Sequence, residues 1–563
     1  MGNIFLDLTL IICIAAFFSL IFRYFKQPEI LAHILTGILI ASLNFFNLTN
    51  NDVLHSLSEV GVTLLLFMVG LEIRVSELMS LGKALILSSV GQILGTFGLV
   101  FLISSFFGFN ILTSIYVATA LTFSSTIIVV KLLSDQRELH SLHAKFSLGI
   151  LLVQDIVAIF FLIFLSGFNQ QTGGLSSLIQ ILPLILKAIL IFGVIAYLSK
   201  TVFPKIVEFI AKSPETLFLV SLAWVFGLSA IVSSPFIGFS IEIGGFLAGV
   251  ALANSVVNYQ IIAKAKILRD FFIVIFFVLL GVQMSFESIG GIILPAIVLS
   301  FLVLIVKPFI VMIMLSLLGY RKRTSFLTGV SLSQVSEFSL ILVFLGYKLG
   351  HLSQEIVSLV TLVGLITFSF STYMITHWKT LYRKVATKIS FMERVNVKKD
   401  EIFEVEENLD NLKGHVVVIG GDQMGLSIVE ALEDKDMEVV VVDFDPSVVK
   451  KLKDKKVHRL FGDISDLDIQ ERAQIDNAKL VISTIPDTDD NLLLLKELKH
   501  ENRKAKVVMM ALDAKDAKLL YKGGADYVIL PHLAGGRQIA KIIIEDHIGK
   551  IESLKEKDKH YLS

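Results

Sequence analysis

The sequence predicts a multi-span α-helical membrane domain, with inverted repeats and crossed discontinuous helices, followed by a cytoplasmic α/β Rossmann-like domain. Three observations carry that expectation. Of 563 residues, 54% are hydrophobic and 18% charged, against about 25% charged in soluble chains. The charges are unevenly placed: residues 379–563 hold 31 Lys/Arg and 34 Asp/Glu, leaving 19 and 16 for the first 378. Beyond Lys413, short Val/Ile runs alternate with helical segments, the pattern of a parallel sheet covered on both faces. The zero net charge is therefore an average over two regimes, and it argues against a nucleic-acid partner. The single cysteine, Cys13, excludes an internal disulfide framework.

A membrane span needs about 20 mostly apolar residues. Thirteen such runs can be read, at 4–22, 29–46, 53–73, 84–107, 112–130, 146–166, 176–198, 215–233, 238–256, 270–286, 289–318, 324–347 and 353–377. The first ends in Arg23 without a small-residue cleavage site, so it is expected to stay as a helix. If loops after odd-numbered spans are cytoplasmic, they contain sixteen Lys/Arg, whereas the opposite loops contain Lys348 alone. The positive-inside rule then puts the N-terminus outside and the charged C-terminal region in the cytoplasm.

Ionisable residues inside spans cost roughly 2.5–3.5 kcal/mol on insertion scales and mark transport pathways. Asp155 lies well inside the sixth run, where nothing in its own helix neutralises it. Lys307, just before Pro308 in the eleventh, is the obvious opposite charge. It either stabilises the empty anionic site or is structural. Proline there frees a carbonyl that lipid cannot satisfy. Two hydroxyl-rich segments read as helices broken at membrane depth. One, at 119–126, contains Ser124, Ser125 and Thr126, and the other, at 331–337, contains Ser333, Gln334 and Glu337. Their hydroxyls either cap half-helices and coordinate a dehydrated cation or bond back to their own helices. One lies in the run before the acidic sixth and the other in the run after the cationic eleventh, as in inverted repeats whose broken helices cross at a midplane site. Glu242, opening the ninth run, reads best as a helix cap, and His33 as a packed histidine. Lys187 has no firm account.

Residues 379–412 read as a linker with a basic start and an acidic stretch at 400–407. Strands follow at 415–419, 438–442, 457–460, 479–484, 506–510 and 527–530, within a domain over 413–550 and before a charged tail at 551–563. The phosphate turn is Gly420, Gly421, Asp422, Gln423, Met424 and Gly425. Asp422 replaces the middle glycine of Gly-x-Gly-x-x-Gly, which normally lets backbone approach a pyrophosphate. Asp443, 18 residues beyond Gly425, suits a ribose-hydroxyl acceptor and disfavours a 2′-phosphate. The tail offers no hydride acceptor with a proton relay, so a dehydrogenase reading is poor; with an acidic residue inside the spans the expectation is a secondary transporter rather than an enzyme.

The run Ser58-Glu59-Val60-Gly61-Val62-Thr63-Leu64-Leu65-Leu66-Phe67-Met68-Val69-Gly70-Leu71-Glu72 resembles the third-span signature of Kef-type monovalent cation:proton antiporters. So do Gln154-Asp155, Gly244-Gly245-Phe246-Leu247-Ala248-Gly249 and Ser333-Gln334-Val335-Ser336-Glu337-Phe338. The tail resembles the RCK/KTN (TrkA-N-like) regulatory domain. Gly37-Ile38-Leu39-Ile40-Ala41-Ser42 departs from the family in lacking the Gly-Pro that often follows the second span. The resemblance implies that Asp155 alternates between proton and cation while the crossed helices supply the remaining ligands. It implies K+ and H+ as the transported ions, since a Gln-Asp pair is similar to the potassium-exchanging branch. It also places Asp463 near an adenine, with AMP or NAD(H) favoured as regulatory nucleotide over NADP(H). A homodimer in a bacterial plasma (inner) membrane is implied, surrounded by membrane lipid, with glutathione or an accessory regulatory subunit as a further partner. The alternatives are sodium/proton exchange on the same fold and a ligand-gated potassium channel. The channel would need a Thr-Val-Gly-Tyr-Gly-type filter, which the sequence lacks.

Overall fold

The computed structural model describes residues 4–43, 52–72, 83–136, 138, 141–166, 191, 193–195, 197, 201, 213–234, 237, 239–253, 255, 258–284, 289–320, 322–385, 388–389, 412–435, 437–443, 446–452, 455–462, 464, 467–485, 488–500 and 505–545. The chain forms two compact units, Met1–Val397 and Lys398–Ser563.

The first unit is helical. Its helices are α1 (Ile4–Tyr24), α2 (Glu29–Leu43), α3 (Asp52–Glu72), α4 (Lys83–Phe106), α5 (Ile111–Thr122), α6 (Thr126–Asp135) and α7 (Leu142–Ser166). They continue with α8 (Pro214–Val232), α9 (Ile241–Leu252), α10 (Asn258–Val282), α11 (Ile289–Phe301), α12 (Lys307–Leu317), α13 (Lys322–Ser331), α14 (Glu337–Lys348), α15 (Gln354–Thr376) and α16 (Trp378–Val385). Among the described residues, eight stretches are long and apolar enough to cross a membrane, and α2 and α9 contain shorter apolar helices. Most of the seventh apolar run, with Lys187, lies outside the described residues. The tenth run is part of a longer helix: α10 starts at Asn258, so Lys264, Lys266, Arg269 and Asp270 extend it by about three turns.

Two interruptions fall where hydroxyl-rich sequence lies. After α5 the chain turns extended at Phe123 (φ −82°, ψ 152°), and Ser125 caps α6 by accepting from the Ile128 N–H at 3.1 Å. After α13, Ser336 caps α14, and Ser339 returns the bond to the Ser336 N–H at 3.2 Å. Such reciprocal capping satisfies N–H groups that a helix start leaves unpaired. The long eleventh run stays helical but widens: Leu302–Val306 is a π-helical turn, and the Lys307 N–H bonds back to the Leu302 carbonyl. Pro308 has no N–H to offer the preceding turn, and a π-bulge absorbs that defect.

Glycines decide the packing around α3. A Cβ on Gly70 would collide with the Phe246 carbonyl, and one on Gly249 with the Phe67 carbonyl. This face of α3 therefore lies backbone to backbone against α9. Gly37 and Gly281 make the same approach between α2 and α10. Small residues let membrane helices meet this closely, which is the physical content of the two glycine motifs at 61–70 and 244–249.

The second unit is an α/β domain. Its elements are β1 (Val416–Ile419), α17 (Gln423–Glu433), β2 (Val439–Asp443), α18 (Pro446–Lys451), β3 (His458–Phe461), α19 (Leu467–Arg472), β4 (Leu480–Ser483), α20 (Thr488–His500), β5 (Lys506–Met510), α21 (Ala514–Gly523), β6 (Tyr527–Ile529) and α22 (Pro531–Glu545). The strands pair in parallel in the order β3-β2-β1-β4-β5-β6. In β1, Val417 and Ile419 enter one core with Leu494 and Leu498, while Val416 and Val418 enter another with Val429. Alternate side chains face opposite sides, so a continuous valine run supplies both layers.

Candidate functional site

The two interruptions meet each other in the first unit. The Ser124 hydroxyl donates to the Leu332 carbonyl at 3.0 Å, and the Ser339 hydroxyl donates to the Ala120 carbonyl. Lys307, wholly buried, donates to the carbonyls of Phe123 (3.0 Å), Gln334 (3.1 Å) and Leu121 (3.4 Å). Its ammonium thus sits where two helices end with carbonyls that lack partners, at the negative pole of each dipole.

Asp155 lies on α7, buried, and its Oδ2 accepts from the Thr126 hydroxyl at 2.9 Å. The Ser125 hydroxyl donates to Glu337 Oε1 at 2.7 Å, joining the start of α6 to the start of α14. Both carboxyl groups therefore stand at N-terminal ends of half-helices, where dipoles and N–H groups favour negative charge.

Hydrogen bonds define the surroundings of four residues singled out in the sequence. The hydrogen bonds of Lys307 all go to main-chain carbonyls, not to Asp155. Bonds of this kind are what the structural alternative expects. Gln154 does not point its amide at a cation: Oε1 accepts from the Ser124 N–H (2.8 Å) and Nε2 donates to Gln92 Oε1 (2.5 Å). The Ser333 hydroxyl bonds back to the Val330 carbonyl at 2.7 Å, so it serves its own helix. Ser331, Thr122 and Thr119 do likewise. Gln334 donates from Nε2 to the Ser331 carbonyl, while its Oε1 is buried with no hydrogen-bond partner among the described residues. Gln92, on α4, escaped the sequence reading. Its signal was a lone amide in the middle of the fourth apolar run.

Lys348 on α14 pairs with Glu59 on α3. Tyr116 and His351 share a buried hydrogen bond of 2.7 Å. His143 Nε2 lies 2.9 Å from a Glu138 carboxylate oxygen, with the imidazole edge-on to Trp378.

In the second unit the phosphate turn connects β1 to α17. Gly420 takes a left-handed φ of +88°, and a Cβ on Gly425 would strike the Gly420 carbonyl. These positions demand glycine, the first for conformation and the other for helix–strand packing. Asp422 caps α17 by position but makes no side-chain cap bond, and it is exposed. Gln423 opens the helix and Met424 is half-buried. Asp443 ends β2 and accepts from the Gly421 N–H at 2.7 Å through Oδ2. Thr484, at the end of β4, ties the turn down by donating to the carbonyls of Ile419 and Gly420, both at 3.0 Å. The turn thus sits between β1 and β4, where strand order reverses and such sheets bind ligands. Asp463 lies outside the described residues.

Comparison with known proteins agrees with this division. Residues 9–378 match the family described as sodium/hydrogen exchanger, transmembrane, and residues 416–531 match the TrkA-N domain. The chain is 25% identical over 530 residues to the putative cation/proton antiporter YbaL of Escherichia coli (strain K12), covering 92% of this chain and 93% of that one. It is 23% identical over 534 residues to the putative K(+) efflux antiporter KefB of Alkalimonas amylolytica, covering 94% and 79%. Among solved structures, the sodium proton antiporter MjNhaP1 from Methanocaldococcus jannaschii aligns over 67% of this chain and 96% of its own. That alignment has 15% identity and a TM-score of 0.49. The chain belongs to the transmembrane sodium/hydrogen exchanger family and carries a TrkA-N domain after its membrane part.

Proposed function

We propose that the protein exchanges potassium for protons by alternating access, with Asp155 as the carboxylate that both ions share. The observation that carries this reading is the buried Asp155–Thr126 pair beside two crossed helix breaks whose carbonyls are already neutralised by Lys307. An empty Asp155 carboxylate is costly in a low-dielectric interior. The site therefore moves across only when a proton or a dehydrated cation neutralises it. That condition makes an exchanger and not a leak. The Thr126 hydroxyl is an oxygen at the carboxylate and Gln334 Oε1 is a buried acceptor left without a hydrogen-bond partner among the described residues, while Ser125 and Glu337 tie the starts of α6 and α14 together.

Potassium is preferred because relatives named for K(+) efflux align with this chain and because Gln154, not a second carboxylate, precedes Asp155. The TrkA-N domain is assigned an adenosine nucleotide, AMP or NAD(H), through Asp443 and the turn at 420–425. It faces the cytoplasm of a homodimer in the bacterial inner membrane. Dye quenching in proteoliposomes with potassium, sodium and lithium tests the assignment. Asp155→Asn is expected to abolish cation-driven pH change while the protein still folds. Normal exchange in that variant would sink the proposal, and a response to sodium alone would move the reading to sodium/proton exchange.

A further inference from the structure

A chain of amides closes around the first helix break. The Ser124 N–H donates to Gln154 Oε1 at 2.8 Å, Gln154 Nε2 donates to Gln92 Oε1 at 2.5 Å, and Gln92 Nε2 donates to the Thr122 carbonyl at 3.2 Å. Gln92 Nε2 also reaches Thr96 Oγ1 at 3.1 Å. Gln92, Gln154 and Ser124 are all wholly buried. The Ser124 N–H can only donate and the Thr122 carbonyl can only accept. Flipping either glutamine alone would set donor against donor and acceptor against acceptor, so the two backbone ends dictate both amide orientations. The chain supplies partners to a donor and an acceptor on opposite sides of the break, groups that an interrupted helix otherwise leaves unmatched.

We propose that Gln92 is a positioning residue for ion exchange: with Gln154 it clamps the first helix break and thereby holds the Thr126 hydroxyl on Asp155. Two links join the same pair of segments. Gln154 holds Ser124, and the next residue, Asp155, holds Thr126. Releasing the first lets the second lengthen. Neither amide titrates, so the clamp stays closed whether Asp155 carries a proton or a cation. The proposal rests on the reading of Asp155 as the exchanging carboxylate.

Proteoliposome exchange by wild type, Gln92→Leu and Gln92→Glu across pH 6–9 tests it, using the cation that drives the wild type. Gln92→Leu keeps approximate size but removes the amide. It is expected to raise the half-saturating cation concentration about five- to tenfold in protein that remains monodisperse. Gln92→Glu is the sharper variant. As a carboxylic acid it can donate to Thr122 and accept from Gln154. As a carboxylate it can only accept. Its half-saturation ratio to wild type is therefore expected to be near one at low pH and to rise with pH. A residue that merely fills space predicts an unchanged half-saturation in Gln92→Leu and a pH-independent ratio in Gln92→Glu, and that result overturns the proposal. If wild type exchanges no cation, or Asp155→Asn exchanges normally, the exchange reading fails instead. Hydrogen–deuterium exchange then judges the clamp alone: faster exchange at 124–128 in Gln92→Leu supports it, and unchanged exchange overturns it.

Discussion

Thr126 and Lys307 make different contacts at the proposed exchange site. A hydroxyl donated to a carboxylate is a charge-assisted bond, so Thr126→Val is expected to raise the half-saturating cation concentration about tenfold at fixed pH, measured in the same vesicles. Lys307 belongs to the scaffold. Replacing it by methionine keeps the stem but leaves carbonyls of Leu121, Phe123 and Gln334 without their donor. Each carbonyl left unpaired costs about 1–3 kcal/mol, so Lys307→Met is expected to lower the melting temperature of the detergent-solubilised protein. Unchanged melting would show the ammonium to be dispensable for the crossing. At this scale the sequence made Asp155 and Lys307 conspicuous, because a charge in an apolar run is visible by composition. It did not show which groups they bond. Lys307 and its carbonyl partner on Phe123 are 184 positions apart, and no local pattern encodes that pairing. Gln92 was missed for a related reason, since an uncharged amide in an apolar run gives a weak signal until its partners are known.

At the scale of elements, the broken helices follow from local chemistry and their crossing does not. Ser125 and Ser336 are good N-cap residues, and a serine run in the middle of an apolar stretch announces where a half-helix begins. Pro308 likewise marks where a helical hydrogen bond must fail, but not that a π-turn over Leu302–Val306 keeps the helix continuous. The packing of α3 against α9 is specified by glycines whose hydrogens face backbone. Gly249→Val is therefore expected to lower the melting temperature well beyond Gly98→Val. Gly98 lies on α4, where a Cβ would meet nothing within 4 Å. Both variants pay the same β-branched helix penalty, so the difference isolates the close approach. Equal melting temperatures would contradict a tight α3–α9 contact.

For the whole molecule, the uneven charge distribution corresponds to two units with separate cores. Asp443 anchors the phosphate turn from β2, so Asp443→Ala is expected to abolish the melting shift of the full chain by AMP or NADH while cation exchange without nucleotide persists. A full shift in that variant would remove Asp443 from nucleotide recognition. The sequence by itself determined the membrane character of the first 378 residues, the candidate carboxylate, the places of both breaks and the six strands, because hydropathy, capping chemistry and strand runs are local properties. Tertiary structure alone decided that Lys307 donates to carbonyls, that Gln154 bonds to the Ser124 N–H and to Gln92, and that the Thr126 hydroxyl donates to Asp155. Those assignments depend on groups brought together from distant positions. Away from bulk water most buried donors and acceptors are paired, and which partner each takes is set by the tertiary geometry.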